Sequence, residues 1–193
     1  MFRAALPIAL LFALAACSGA PKPTAKAPPQ NTELKLPSPQ TATPRQTAKP
    51  RAQPALYSPG SPLQCVPFAR EAAGIEIYGD AWTWWDSAAG RYSRGSKPRM
   101  GSVVQLKVNH AERGHLAYVS EVVSSREIIV DHANWLNRGK IHRNTPMVDV
   151  SSNNDWSQVR VWYTPGGHLG GSTYPVVGFI YPHEEQRTAS LRQ

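Results

Sequence analysis

Cysteine and histidine are residue types from which nucleophilic catalysis at neutral pH is built, because a thiolate attacks a carbonyl carbon and an imidazole can take the thiol's proton. The chain holds two cysteines, Cys17 and Cys65, and six histidines. Cys65 stands in Ser61-Pro-Leu-Gln-Cys-Val-Pro-Phe-Ala-Arg-Glu-Ala-Ala-Gly74. The part from Pro67 to Ala73 reads as a helix: Pro67 suits a first turn, where its missing N–H costs nothing, and Gly74 suits the end. The thiol then lies at or just before a helix N-terminus. Unpaired backbone N–H groups and the positive end of the helix dipole favour thiolate there, and the N–H of Cys65 is placed to help hold an oxyanion. The competing reading is a buried structural cysteine.

The elements that must position this thiol follow it in the chain. Apolar period two marks strands over Met100 to Val108, His115 to Val123, Glu127 to Trp135, Val159 to Tyr163 and Val176 to Tyr181, separated by turn residues such as Ser124-Ser125 and Pro165-Gly166-Gly167. One helix and then an antiparallel sheet is an α+β layout. His115 follows Gly114 at the mouth of the second strand, with Ala117 and Val119 on its face. From there it can approach a neighbouring helix end, or it can be a solvent-exposed strand-end histidine. Alternation along the third strand puts Val130, His132 and Asn134 on one face and Asp131 and Ala133 on the other.

Taken together, Gln64-Cys65 opening a helix, Gly101-Ser102-Val103 opening a strand, Gly114-His115-x-Ala117-x-Val119 and a strand ending Asn134-Trp135 resemble the CHAP family. Its members are cysteine- and histidine-dependent amidohydrolases and peptidases. The resemblance covers about Leu63 to Trp135 by motif, and the whole domain by length and strand order. It implies a papain-like arrangement, in which an N-terminal helix carrying the nucleophile packs on an antiparallel sheet or half-barrel. It also implies hydrolysis of an amide or peptide bond in peptidoglycan through an acyl-enzyme, with no metal ion and no organic cofactor. Cys65 is then the nucleophile and His115 the general base. Many members end the strand after the histidine with Glu-x-Asn-Trp, the glutamate orienting the imidazole, whereas this chain reads Asp131-His132-Ala133-Asn134-Trp135. His132 therefore stands where the glutamate would, as in the NlpC-type peptidases, which use Cys-His-His. Asn134 is an alternative orienting residue, and so is Asp131 if a β-bulge swings it inward. The rival functions are an inactive CHAP-like module that only binds and tethers cell wall, and an acyl transferase or deamidase.

The first residues, Met1-Phe2-Arg3, precede an apolar run from Ala4 that ends in Leu14-Ala15-Ala16-Cys17. That run is too short to span a membrane, which takes roughly 20 apolar residues, and it reads as a signal peptide over 1–16 closed by a lipobox. Cys17 becomes the lipidated N-terminus, and Ser18 in place of an aspartate implies an outer-membrane lipoprotein facing the periplasm. With Cys17 acylated, Cys65 has no disulfide partner in the chain. Eleven of the eighteen prolines fall between Ser18 and Pro62, so residues 17–62 read as a disordered tether. Lys22, Lys26, Lys35, Arg45, Lys49 and Arg51 against Glu33 give this stretch a net +5 of the chain's +8. The basic pI belongs to the tether rather than to the domain, and the expected partners are an anionic membrane or wall, not nucleic acid.

The catalytic domain spans 63–183, and a polar tail, 184–193, frays. Trp82, Trp84 and Trp85 must face different directions on a helix, so some are core and one lines the groove. His110, His142, His168 and His183 have no cysteine or carboxylate at metal-ligand spacing and read as loop or surface residues. Asp149 to Asp155 reads as a turn.

Overall fold

Branched apolar residues alternate along five strands, which gives each an inward row, and a sixth, more polar strand closes the rows on one another. The computed structural model describes residues 51–108, 113–136 and 138–184 of the 193-residue chain. The signal peptide, most of the tether, His110 and the polar tail beyond Glu184 lie outside the described residues.

In chain order the elements are β1 (Ala55–Tyr57), α1 (Cys65–Ala73), a 3₁₀ turn (Ala81–Thr83), α2 (Trp84–Ser87), β2 (Ser93–Gly95), β3 (Val103–Lys107), β4 (Gly114–Val122), β5 (Glu127–Ala133), β6 (Ile141–Asp149), β7 (Gln158–Tyr163), a second 3₁₀ turn (Thr164–Gly166), β8 (His168–Leu169) and β9 (Tyr174–Tyr181). All pairings are antiparallel. They run β6-β5-β4-β3-β9-β7, and β7 pairs back onto β6 through Met147↔Val161 and Asp149↔Val159. The result is a closed six-stranded barrel. β1 extends it at β6, β2 at β9 and β8 at β7.

Inside the barrel Val104, Leu106, Ala117, Val119, Val130 and Phe179 are fully buried. Residues of the opposite parity, Val103, Leu116, Tyr118 and Ala133, face outward onto Phe68, Ala69 and Ala73 of α1 and onto Trp84. β3 and β4 are thus apolar on both faces. The molecule is an α+β domain with two cores divided by one wall of the barrel. No helix among the described residues is long and apolar enough to cross a membrane.

Three features depart from the sequence expectation. α1 begins at Cys65 rather than Pro67, and Pro67 still falls in the first turn, where its missing N–H leaves no bond unmade. The expected half-barrel is closed, because β6, which the apolar pattern did not reveal, joins β5 to β7. Pro146 and the polar run Arg143-Asn144-Thr145 hide this strand. The proline is tolerated because it lies between the segment that pairs with β1 (141–143) and the segment that pairs with β7 (147–149). Finally, the domain boundary expected at residue 63 falls too late, since Ala55–Tyr57 is already β1, paired with Ile141 to Arg143.

Asp131 keeps the face that alternation gives it, although a bulge lies beside it. A bulge sits in β6, where Arg143 and Asn144 together face Asp131 between the pairs Val130↔Thr145 and His132↔His142. Asn144 takes φ 53° to make it. The Asp131 carboxylate holds this shape: Oδ1 accepts from the Asn144 N–H at 2.8 Å and Oδ2 pairs with Arg143 Nη1 at 2.9 Å. Arg143 in turn lies over the Phe68 ring at 5.1 Å. The extra residue is on β6, so β5 keeps its alternation and Asp131 stays on the face toward α1. Asp131→Ala is expected to destabilise the fold by about 1–2 kcal/mol, the cost of leaving a partly buried backbone N–H without its acceptor. A lowered urea midpoint at unchanged m-value, with turnover close to wild type, is the measurement.

Candidate active site

Cys65 is the first residue of α1, after Gln64 in extended geometry at φ −93°, ψ 159°. The chain leading to it is pinned by the loop after β5: Leu63 N–H donates to the Gly139 carbonyl at 3.0 Å. Gly139 has φ 61°, and a Cβ there would lie 2.5 Å from Pro62 Cβ, so only glycine allows this approach. The same loop fixes an amide chain. Gly139 N–H donates to Asn134 Oδ1 at 2.8 Å, and Asn134 Nδ2 donates to Gln64 Oε1 at 2.6 Å. A backbone donor therefore decides which way the Asn134 amide faces, and Asn134 decides which way Gln64 faces. The Nε2 of Gln64 is left as a donor beside Cys65.

Across the cleft, β4 presents His115 after Gly114. A Cβ on Gly114 would stand 2.6 Å from Trp82 N and 2.8 Å from Ala81 C. The absence of a side chain lets the 81–83 turn press against the mouth of the strand, and Gln105 Nε2 holds that turn by donating to the Trp82 carbonyl at 3.0 Å. The cleft, of about 510 Å³, is lined by Gln64, Cys65, Trp82, His115, Trp135 and Tyr174, among others. Trp84 is fully buried, whereas Trp82 is 45% exposed and is the tryptophan of its cluster that faces the groove.

His115 Nε2 and His132 Nδ1 share a hydrogen bond of 2.9 Å inside the barrel mouth. With Nε2 engaged, Nδ1 is the nitrogen that His115 has left for the cleft. Trp135 stands edge-on to His115 at 4.7 Å between centroids and packs on Tyr174 at 5.0 Å, which shields the pair from water. Of the three residues weighed for orienting His115, only His132 bonds to it. Asn134 leaves the strand at φ 61° and serves Gln64 instead, and Asp131 lies on the other face. The reading of His142 as a surface or loop residue is corrected: it is 1% exposed on β6, directly opposite His132, with ring centroids 5.1 Å apart. Its place depends on a strand that gave no apolar pattern. The roles of Gln64 and Trp135 rest on contacts between segments far apart in the chain.

Burial sets the electrostatics. It lowers His115 from the ordinary 6.5 to about 3, helped by charge on His142. Burial, then the neighbouring His115 and His142, holds His132 well below the ordinary range. Burial and then Lys140 lower His142 to about 4. Desolvation also pushes the Cys65 thiol above its ordinary value, outweighing the backbone amides of Leu116, Cys65 and Val66 that favour thiolate. At neutral pH the resting pair is therefore thiol and neutral imidazole. No group of three or more His, Cys, Asp or Glu among the described residues is arranged to hold a metal ion.

The family model of the CHAP domain matches residues 56–134, a span that contains Cys65, His115, His132 and Asn134 and stops before β6. A search of curated proteins finds no match. The domain match supports a hydrolase of the amidase type with peptidoglycan as substrate.

Three buried neutral histidines make stability depend on acid. Their pKa values are depressed on folding, so between pH 6.5 and their folded values the unfolded chain binds more protons and stability falls as pH falls. The thermal midpoint is expected to be level above pH 6.5 and to drop steadily to about pH 5, before most carboxylates titrate. A level midpoint across that window in a calorimetric series would show that the rings are not buried as neutral groups.

Proposed function

We propose that this chain is a peptidoglycan hydrolase of papain-like arrangement, in which Cys65 attacks the carbonyl of an amide or peptide bond and His115 is the general base. The observation that carries this reading is the shared cleft: a thiol opening a helix and an imidazole whose inner nitrogen, Nε2, has its partner on the barrel side, which leaves Nδ1 toward the cleft. Attack transfers the thiol proton to His115 Nδ1 as sulfur bonds to carbon, since the buried neutral ring and raised thiol disfavour a standing ion pair. The oxyanion is met by the N–H of Cys65 at the helix start and by Gln64 Nε2, which Asn134 holds in place. His115 then gives its proton to the leaving amine, and water cleaves the acyl-enzyme by the same route in reverse. His132 keeps the ring of His115 in one orientation throughout.

Cys65→Ala and Cys65→Ser are expected to remove turnover while the fold persists. His132→Ala should lower kcat/KM by roughly a hundredfold and yet stay above Cys65→Ala, because nucleophile and base remain. The assay is release of fragments from purified sacculi, read by mass spectrometry, together with kinetics on a defined muropeptide. Wild-type turnover by Cys65→Ala ends the nucleophile assignment. Sacculi that bind the protein without releasing fragments indicate a binding module, and altered composition without release indicates acyl transfer.

The N-terminal segment completes the proposal: lipidation at Cys17 attaches the domain to the outer membrane on its periplasmic side, and the basic tether gives it reach to the wall. Cys17→Ala is expected to move the protein from the membrane pellet to the supernatant with the activity of the domain intact. Retention of the variant in the pellet after a high-salt wash would reject the lipid anchor.

A further inference from the structure

A neutral imidazole carries one proton, and the choice of nitrogen decides what it can do. For His115 to accept a proton at Nδ1, its own proton must be on Nε2, where it is donated to His132 Nδ1 across the 2.9 Å bond. His132 then has its proton on Nε2. In the other arrangement His132 donates from Nδ1, and His115 turns an N–H toward the cleft and cannot act as base. The single hydrogen bond serves both arrangements equally well, so something else must choose between them.

His132 Nε2 is buried without a hydrogen-bond partner among the described residues, and so is Nδ1 of His142. These two orphan atoms belong to rings paired across β5 and β6, 5.1 Å apart and inclined at 63°. Both residues are essentially inaccessible to solvent, at 0% and 1%. A buried ring nitrogen left without a partner is costly, and here two such nitrogens lie on neighbouring rings; a proton on His132 Nε2 and none on His142 Nδ1 would make them a donor and an acceptor.

We infer that His142 is a positioning residue: its Nδ1 accepts the Nε2 proton of His132 and thereby holds His115 in the one tautomer that can take a proton from Cys65. This rests on the reading of His115 as general base, and it adds a residue that lies beyond the segment matched by the family model. In the described structure Lys140 stands near His142 and contributes positive charge, while Leu56, Arg138, Tyr163 and Pro165 line with His142 a pocket on its outer side. The ring therefore meets its neighbours as an acceptor toward His132 and not as a cation.

The test uses the full chain and two substitutions. His142→Phe fills the site without an acceptor. His142→Asn places an amide oxygen close to where Nδ1 stands. His142→Phe is expected to lower kcat about tenfold or more with KM little changed, and His142→Asn to restore most of it, the factor expected for one unmade buried hydrogen bond. Nitrogen-15 correlation spectra of the imidazoles give a readout that a structural role does not move. In the wild type, His115 and His132 should both carry their protons on Nε2, and His142 should present an unprotonated Nδ1. In His142→Phe, the His115 proton should move to Nδ1. A wild-type His142 protonated on Nδ1, an unchanged His115 tautomer in His142→Phe, or an equal loss in both variants overturns the inference. The spectra do not depend on turnover, so they decide this hydrogen bond even if Cys65→Ala proves active and the hydrolase reading fails.

Discussion

The site depends on one hydrogen bond, 2.9 Å long, between two imidazoles on adjacent strands inside a barrel mouth. Two rings this close in a water-poor setting cannot both be charged, since each cation would raise the cost of the other as well as its own cost of burial. The pair is stable as neutral groups, and its chemistry starts from that state. A glutamate in the place of His132 would bring a negative charge and draw His115 toward imidazolium. A histidine holds the ring in place without that pull. In the proposed mechanism proton transfer then accompanies attack on the substrate instead of preceding it.

Everything around the bond serves to keep the rings fixed and dry. Closure of the barrel through β6 and β7 removes a free sheet edge next to the cluster, and puts His142 behind His132. Trp135 and Tyr174 shield the front. The inward parity of His115 and His132 continues the parity of Ala117, Val119 and Val130, so the histidine-bearing end of the barrel is an extension of its apolar core. The bulge in β6 leaves that parity undisturbed, and Asp131 closes the bulge from the opposite face.

The thiol side is positioned by two close backbone approaches. At Gly139 the loop after β5 touches Pro62, and at Gly114 the mouth of β4 touches the turn carrying Trp82. Neither approach leaves room for a Cβ. The amide chain from Gly139 through Asn134 to Gln64 then transmits the position of that loop to the residue beside Cys65. Short neutral hydrogen bonds and steric contact do this work. The exposed pair Arg51 with Glu127 contributes little by comparison, since surface ion pairs are typically worth about 0–1 kcal/mol.

By itself the sequence determined the chemistry-bearing residues and the local frame of each. A thiol before Pro67 and Gly74 marks a helix start, His115 after Gly114 marks a strand mouth, and alternation over Val130 to Ala133 separates His132 from Asp131, because all of these follow from backbone sterics over a few residues. The five most apolar barrel strands were legible for the same reason. The sixth, β6, was not, since its pattern is broken by Pro146 and a bulge that only its neighbours β1, β5 and β7 make tolerable. With β6 hidden, closure of the barrel and the burial of His142 were hidden too. Asn134 was placed on a strand face by alternation, but the strand ends at Ala133, and the residue's contacts come from Gly139 and Gln64. Which nitrogen meets which partner, and how far each pKa moves, were decided by the tertiary structure alone, because hydrogen-bond partners and desolvation arise from segments that are distant in the chain.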